Sequence, residues 1–144
     1  MPETSQSIDI NAPISDVWEK LNNFHDFSWA PDVITSVEKV GDIDGSQVGA
    51  KRVLNNAFHE TLVEIDNDNY SLKYSIDDGP SPVSKNDVSN YFGSINLSAT
   101  GDNDQTHVSW TSSWESNSED AVEFCHGIYV ALLNELNASF LSHG

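Results

Sequence analysis

Lys51-Arg52-Val53-Leu54-Asn55-Asn56-Ala57-Phe58-His59-Glu60-Thr61-Leu62-Val63-Glu64-Ile65 reads as two short strands joined by an asparagine turn. The second half is rich in β-branched and aromatic residues, and the Asn-Asn pair suits a backbone reversal. Strand side chains alternate between faces, so a hairpin centred on Asn56 sets Arg52 opposite Glu60 and Leu54 opposite Phe58. Leu62 and Glu64 fall on the same face. A charged pair thereby sits on a face that is otherwise apolar.

The same logic extends outward. A second turn at Asp66-Asn67-Asp68-Asn69 precedes a strand over Tyr70–Ile76, with Tyr74 opposite Leu62 and Ile76 opposite Glu60. Strands over Val88–Ala99 and Thr106–Trp114 flank Gly101-Asp102-Asn103-Asp104. Parity adds Tyr91, Gly93, Ile95 and Leu97, then Val108, Trp110, Ser112 and Trp114, to the shared face. Towards the N-terminus, Ser5–Ile10 is a strand. Pro13 then opens a helix at its first position, with Ile14, Val17, Trp18 and Leu21 on one side. Phe24–Trp29 predicts a second short helix ending before Pro31, and strands over Val33–Val40 and Gly49–Leu54 lead back to the hairpin. Ser116-x-x-Glu119 matches a capping box. It precedes a long helix whose Val122, Cys125, Tyr129, Leu132, Leu136 and Phe140 form a buried stripe. The expectation is an α+β helix-grip fold in one domain over residues 1–144. A curved antiparallel sheet of about seven strands wraps around the C-terminal helix, with two short helices after the first strand.

Composition narrows the function. The 144 residues are 38% hydrophobic and 10% aromatic, enough for a core. Twenty-three acidic residues against six basic ones give a net charge of −17. Such a surface repels nucleic acid and anionic membrane, which need clustered cations. The acids are dispersed, which suits a solvated surface; an acidic partner-binding face is the alternative. Self-repulsion on this scale predicts a thermal midpoint that rises with sodium chloride, since the Debye length falls from ~10 Å at 0.1 M to ~3 Å at 1 M. A flat or falling midpoint would show that repulsion is not a significant term. The single Cys125 excludes an internal disulfide. The longest clearly apolar run, Ile128–Leu133, is far too short to span a membrane, and Met1–Ser7 has no leader character. A cytoplasmic protein without membrane insertion is expected; oligomeric state is left open.

Few residues can carry chemistry. The Arg52–Glu60 pair either fixes strand register or forms the polar floor of a ligand cavity, with Arg52 holding an anionic or carbonyl oxygen while Glu60 moves a proton. Tyr74, Tyr91 and Trp110 need polar partners inside, and so favour a cavity. With Ile128 and Leu132 they are its expected walls. His59-Glu60 begins a metalloprotease-like motif, but Val63 stands where the second histidine belongs. No metal and no cofactor are expected. Cys125 reads as packing, Ser112 lacks an activating partner, and Gly41, Gly45 and Gly49 open no helix. Trp18, Trp29, Phe24 and Phe27 read as core.

Several fragments taken in order resemble the START/SRPBCC superfamily of polyketide cyclase-like and lipid-binding proteins. They are Ile10-Asn11-Ala12-Pro13 with Val17-Trp18, Phe27-x-Trp29-x-Pro31, Val48-Gly49-Ala50-Lys51-Arg52, Glu60 to Asp66, Tyr70 to Ile76, and Trp110. The stretch around Arg52 and Glu60 is similar to the branch containing lachrymatory-factor synthase, which isomerises a small sulfenic acid with an arginine, a glutamate and a tyrosine. The resemblance implies Arg52, Glu60 and Tyr91 as the matching catalytic positions, with Tyr74 as another source of the hydroxyl. It implies a site rather than a substrate, because such residues recur across many relatives with no known substrate. The expected function is binding of a small hydrophobic or polyketide-like molecule, with proton-transfer chemistry such as isomerisation, cyclisation or dehydration. A non-catalytic carrier or sensor, and a packed partner-binding module, are the alternatives.

Overall fold

A computed structural model describes residues 2–80, 83–100, 105–116 and 120–140. In chain order the elements are β1 (Glu3–Ile10), α1 (Ile14–Leu21), β2 (Val37–Val40), β3 (Lys51–Leu54), β4 (Phe58–Asp66), β5 (Ser71–Asp78), β6 (Ser89–Thr100), β7 (Gln105–Glu115) and α2 (Asp120–Ala138). The strands form one antiparallel sheet in the order β1-β7-β6-β5-β4-β3-β2. Pairing of β1 with β7 brings the first and last strands together, and α2 packs against β1 and the concave face. This is the helix-grip architecture. No helix among the described residues is long and apolar enough to cross a membrane.

The hairpin that decides the fold has the expected register: Arg52 pairs with Glu60 and Leu54 with Phe58. Asn55 and Asn56 both take positive φ, 55° and 56°, a region asparagine enters more readily than most residues. Ala57 N–H closes the turn on the Leu54 carbonyl. The next pairing puts Tyr74 opposite Leu62 and Ile76 opposite Glu60. Parity fails beyond Leu62. A bulge between Leu62 and Glu64 inserts one residue and turns Glu64 to the exposed surface. Bulges there, at His59/Glu60 and at Ser89/Phe92 bend the sheet around the helix.

Three further local expectations are corrected. Pro13 is the N-cap of α1 rather than its first residue; its ψ is 150° and its carbonyl accepts from Asp16 and Val17. Phe24–Trp29 is a series of turns, not a helix. Asn23 and Asp26 side chains accept the His25 and Ser28 N–H groups, and the Phe24 carbonyl accepts from Arg52 instead of from a helical neighbour. The strand expected from Val33 begins only at Val37, because Val33 and Ile34 donate to the Ala30 carbonyl and the Asn55 side chain binds Thr35. Glu119 of the capping box and the turn at 101–104 lie outside the described residues.

The core is built from both layers. Val17, Trp18 and Leu21 of α1 are buried, and Trp18 Nε1 donates to Asn67 Oδ1 (2.9 Å), tying α1 to the β4–β5 turn. From α2, Ala121, Cys125, Tyr129, Leu132, Leu133 and Leu136 are buried and Val122 is only partly so; Phe140, expected on the same stripe, lies beyond the helix end and is partly buried.

Candidate functional site

Strands β3 and β4 carry two buried ionisable side chains on an apolar wall, Arg52 at 6% and Glu60 at 6% exposure. Arg52 Nε donates to Glu60 Oε1 at 2.8 Å and Nη2 to the same oxygen at 2.5 Å. Nη1 donates to the Phe24 carbonyl at 2.9 Å. The guanidinium carbon lies 3.6 Å from the Phe24 ring centroid and 4.6 Å from that of Phe27, so aromatic faces cover the cation. Three of five N–H donors are thus committed within the protein, and the charge is neutralised. The cation thus already has a counter-ion within the protein. Burial raises the Glu60 carboxyl above the usual range; the Arg52 charge and hydrogen bonds oppose the rise, and Asp77 adds to it.

Beside this pair the sheet and α2 bring three phenols together. Tyr74 Oη donates to Tyr129 Oη at 2.9 Å, and Tyr91 Oη lies 2.5 Å from Tyr129 Oη. Trp110 Nε1 donates to Tyr74 Oη at 3.0 Å. Desolvation pushes all three phenols far above the ordinary tyrosine range, so they stay protonated. Gly93 makes the arrangement possible. It pairs with Tyr74 across β5 and β6, and a Cβ there would stand 2.3 Å from Tyr74 Cζ, so any other side chain would displace the ring.

Every residue the sequence nominated meets at one cavity: Arg52, Glu60, Tyr74, Tyr91, Trp110, Ile128 and Leu132 all line it. Its size differs from expectation. The free volume at its centre is about 30 Å³, room for about two waters, far below the roughly 300–1,000 Å³ of a filled ligand site. Phe27, Phe58 and Tyr129 also line it and occupy much of the space. Phe58 is half-buried and stacks on Phe124 of α2 with centroids 6.5 Å apart, an aromatic pair between hairpin and helix. Tyr129 is the residue that sequence reasoning left among the packing positions. Its signal was a polar tip on the apolar stripe of α2. Phe24 and Phe27 are core residues, as expected, and their rings also enclose Arg52. Among the described residues no group of three or more His, Cys, Asp or Glu is placed to hold a metal.

Residues 1–140 match the family described as polyketide cyclase/dehydrase and lipid transport. The chain belongs to that family. No curated protein matches the chain. Among solved structures, a Nitrosospira multiformis protein is similar at 45% identity, over 98% of this chain and 97% of that one, with a TM-score of 0.95. The protein XoxI from Bacillus cereus is 24% identical over 99% and 97% of the two chains, TM-score 0.79. Norcoclaurine synthase from Thalictrum flavum is 18% identical over 98% and 87%, TM-score 0.76. The last two share the fold. The superfamily resemblance therefore holds, and with it a hydrophobic-ligand-binding fold of the cyclase/dehydrase and lipid-transport kind.

Proposed function

We propose that this cavity binds a small, neutral, largely apolar carbonyl compound and that Glu60 moves a proton on it. The observation that carries this reading is a buried carboxyl with a raised proton affinity on the wall of an otherwise apolar cavity. Arg52 Nε and Nη2 both donate to Glu60 Oε1, which leaves Oε2 as the oxygen for a ligand. A ligand enters by side-chain rearrangement around Phe58 and Phe27, the kind of rotamer change that commonly accompanies binding. The carboxylate then takes a proton from the carbon beside the carbonyl, the C–H pair becomes a C=C bond, and the carbonyl π pair moves to oxygen. Returning the proton to another carbon is isomerisation, and attack by the enolate on a second carbonyl is cyclisation. A carrier is the second reading, favoured by the mutual hydrogen bonding of Arg52 and Glu60.

Deuterium uptake into the methyl group of acetophenone in heavy water tests proton abstraction without knowledge of the natural ligand. Because the base must be ionised and burial raises its affinity for the proton, exchange should fall as pH drops through a limb above 4.5, the ordinary glutamate value. A limb at or below 4.5 would exclude Glu60 as the titrating base. Binding without exchange at any pH would leave the carrier reading.

A further inference from the structure

We propose that the groove over residues 25–37 is the outer half of the ligand site, and that it takes the donor-bearing polar end of a ligand whose ketone lies against Glu60. This rests on the reading of the cavity as a ligand site and adds the class of molecule it accepts. The interior alone has about 30 Å³ free. Outside it lies a groove of about 420 Å³, whose walls include His25, Asp26, Ser28 and Ser36. Phe27 and Ile34 line both spaces, and both are buried, so their side chains form the partition. Two other grooves of similar size, about 450 Å³ beside Lys85 and about 420 Å³ beside Lys20, share no residue with the cavity.

Side-chain contacts hold this partition in place. Phe27 stands in the run of turns before β2, without a helical ladder behind it. Its ring meets that of Trp29 with centroids 5.0 Å apart, and the Arg52 guanidinium carbon lies 4.6 Å from its centroid. A rotamer change at Phe27, of the kind that commonly accompanies binding, joins the interior to the groove. The joined space reaches the roughly 300–1,000 Å³ of a ligand site.

The groove wall sets the chemistry of the outer end. The Lys51 carbonyl can only accept, so His25 Nε2, 2.9 Å from it, carries a hydrogen. In the neutral ring Nδ1 is then an acceptor, and no partner meets it among the described residues. Asp26 Oδ1 accepts the Ser28 N–H at 2.9 Å, while Oδ2 has no partner among the described residues. Two acceptors, one of them anionic, select a hydrogen-bond donor and disfavour a carboxylate. The net charge of −17 acts in the same direction. The molecule that fits is an elongated ketone whose apolar chain passes between Phe27 and Ile34 and ends in a hydroxyl.

The test uses three ketones on the intact chain at pH 8: acetophenone, 8-hydroxy-1-phenyloctan-1-one and 8-oxo-8-phenyloctanoate. In NMR titrations the hydroxy ketone should move the amides of β3 and β4 together with those of Ser28 and Ser36. Acetophenone should move only the former. The hydroxyl end should bind about tenfold more tightly than the carboxylate end. Ser36→Trp, at an exposed position on the groove wall, should lower the ratio of hydroxy ketone to acetophenone affinity by about tenfold, because it denies burial to the chain's methylenes. Unmoved Ser28 and Ser36 amides, or movement at the Phe58–Phe124 pair in their place, overturn the proposal and leave the cavity reading intact. So does a groove response without one in β3 and β4, which would mark a separate surface site. Equal binding of the hydroxyl and carboxylate ends overturns the assigned class, and an unchanged ratio in Ser36→Trp overturns the path. If no ketone binds the wild type, the cavity reading falls and this one with it.

Discussion

Deuterium exchange into acetophenone should fall by on the order of 10²–10⁴ in Glu60→Gln, with ketone affinity little changed. The amide keeps the size and hydrogen-bonding atoms of the carboxylate, so Arg52 Nε and Nη2 still meet an oxygen where Oε1 stands. What it lacks is a titratable proton. Removing a general base takes stabilisation from the transition state and not from the bound ground state, so the rate carries the loss while binding does not. Exchange at the wild-type rate in Glu60→Gln would sink the acid/base role outright. A carrier gives a different pattern, with weaker ketone binding in the variant and no exchange to lose. Because the amide also removes the negative charge beside a buried guanidinium, thermal midpoints must be measured on the same samples.

Stability carries the second large effect. Glu60→Leu alone should cost about 3–5 kcal/mol, since it leaves the Arg52 cation buried without its counter-ion. The burial of both side chains places the pair in that regime, although the Phe24 and Phe27 faces and the Phe24 carbonyl retain part of the cation's stabilisation. Arg52→Met alone should be similarly harmful, leaving a carboxylate desolvated on an apolar wall. The double replacement Arg52→Met/Glu60→Leu should recover most of the loss, because two apolar side chains in register across β3 and β4 need no partner. Chemical denaturation of the two single variants and the double variant measures the coupling directly. Additive losses would mean that the two charges do not depend on one another, contrary to the 2.5 Å ion pair. Recovered stability together with lost exchange would separate the pair's function from its structural role.

The sequence determined the order of the strands, the antiparallel sheet and the side-by-side placement of Arg52 and Glu60. These follow from local rules: period-two alternation fixes which residues share a face, and turn residues such as Asn55 and Asn56 fix the pairing register. It also nominated seven residues that do line one cavity. Parity stopped working at the bulge after Leu62, because one inserted residue reverses every face assignment beyond it and nothing in Val63-Glu64 announces the insertion. The turns over Phe24–Trp29 were illegible for a related reason. Their carbonyl and aromatic rings are claimed by Arg52, 28 positions away from Phe24, so a long-range bond overrode a local helical pattern. Only the tertiary structure could bring Tyr129 from α2 onto Tyr74 and Tyr91, and only it shows why residue 93 is glycine. Hydrogen-bond direction depends on which atoms converge in space, and no spacing along the chain encodes the meeting of a helix hydroxyl with two strand hydroxyls 55 and 38 positions away. Cavity size was decided there too: Phe27, Phe58 and Tyr129 converge between sheet and helix until about 30 Å³ remains.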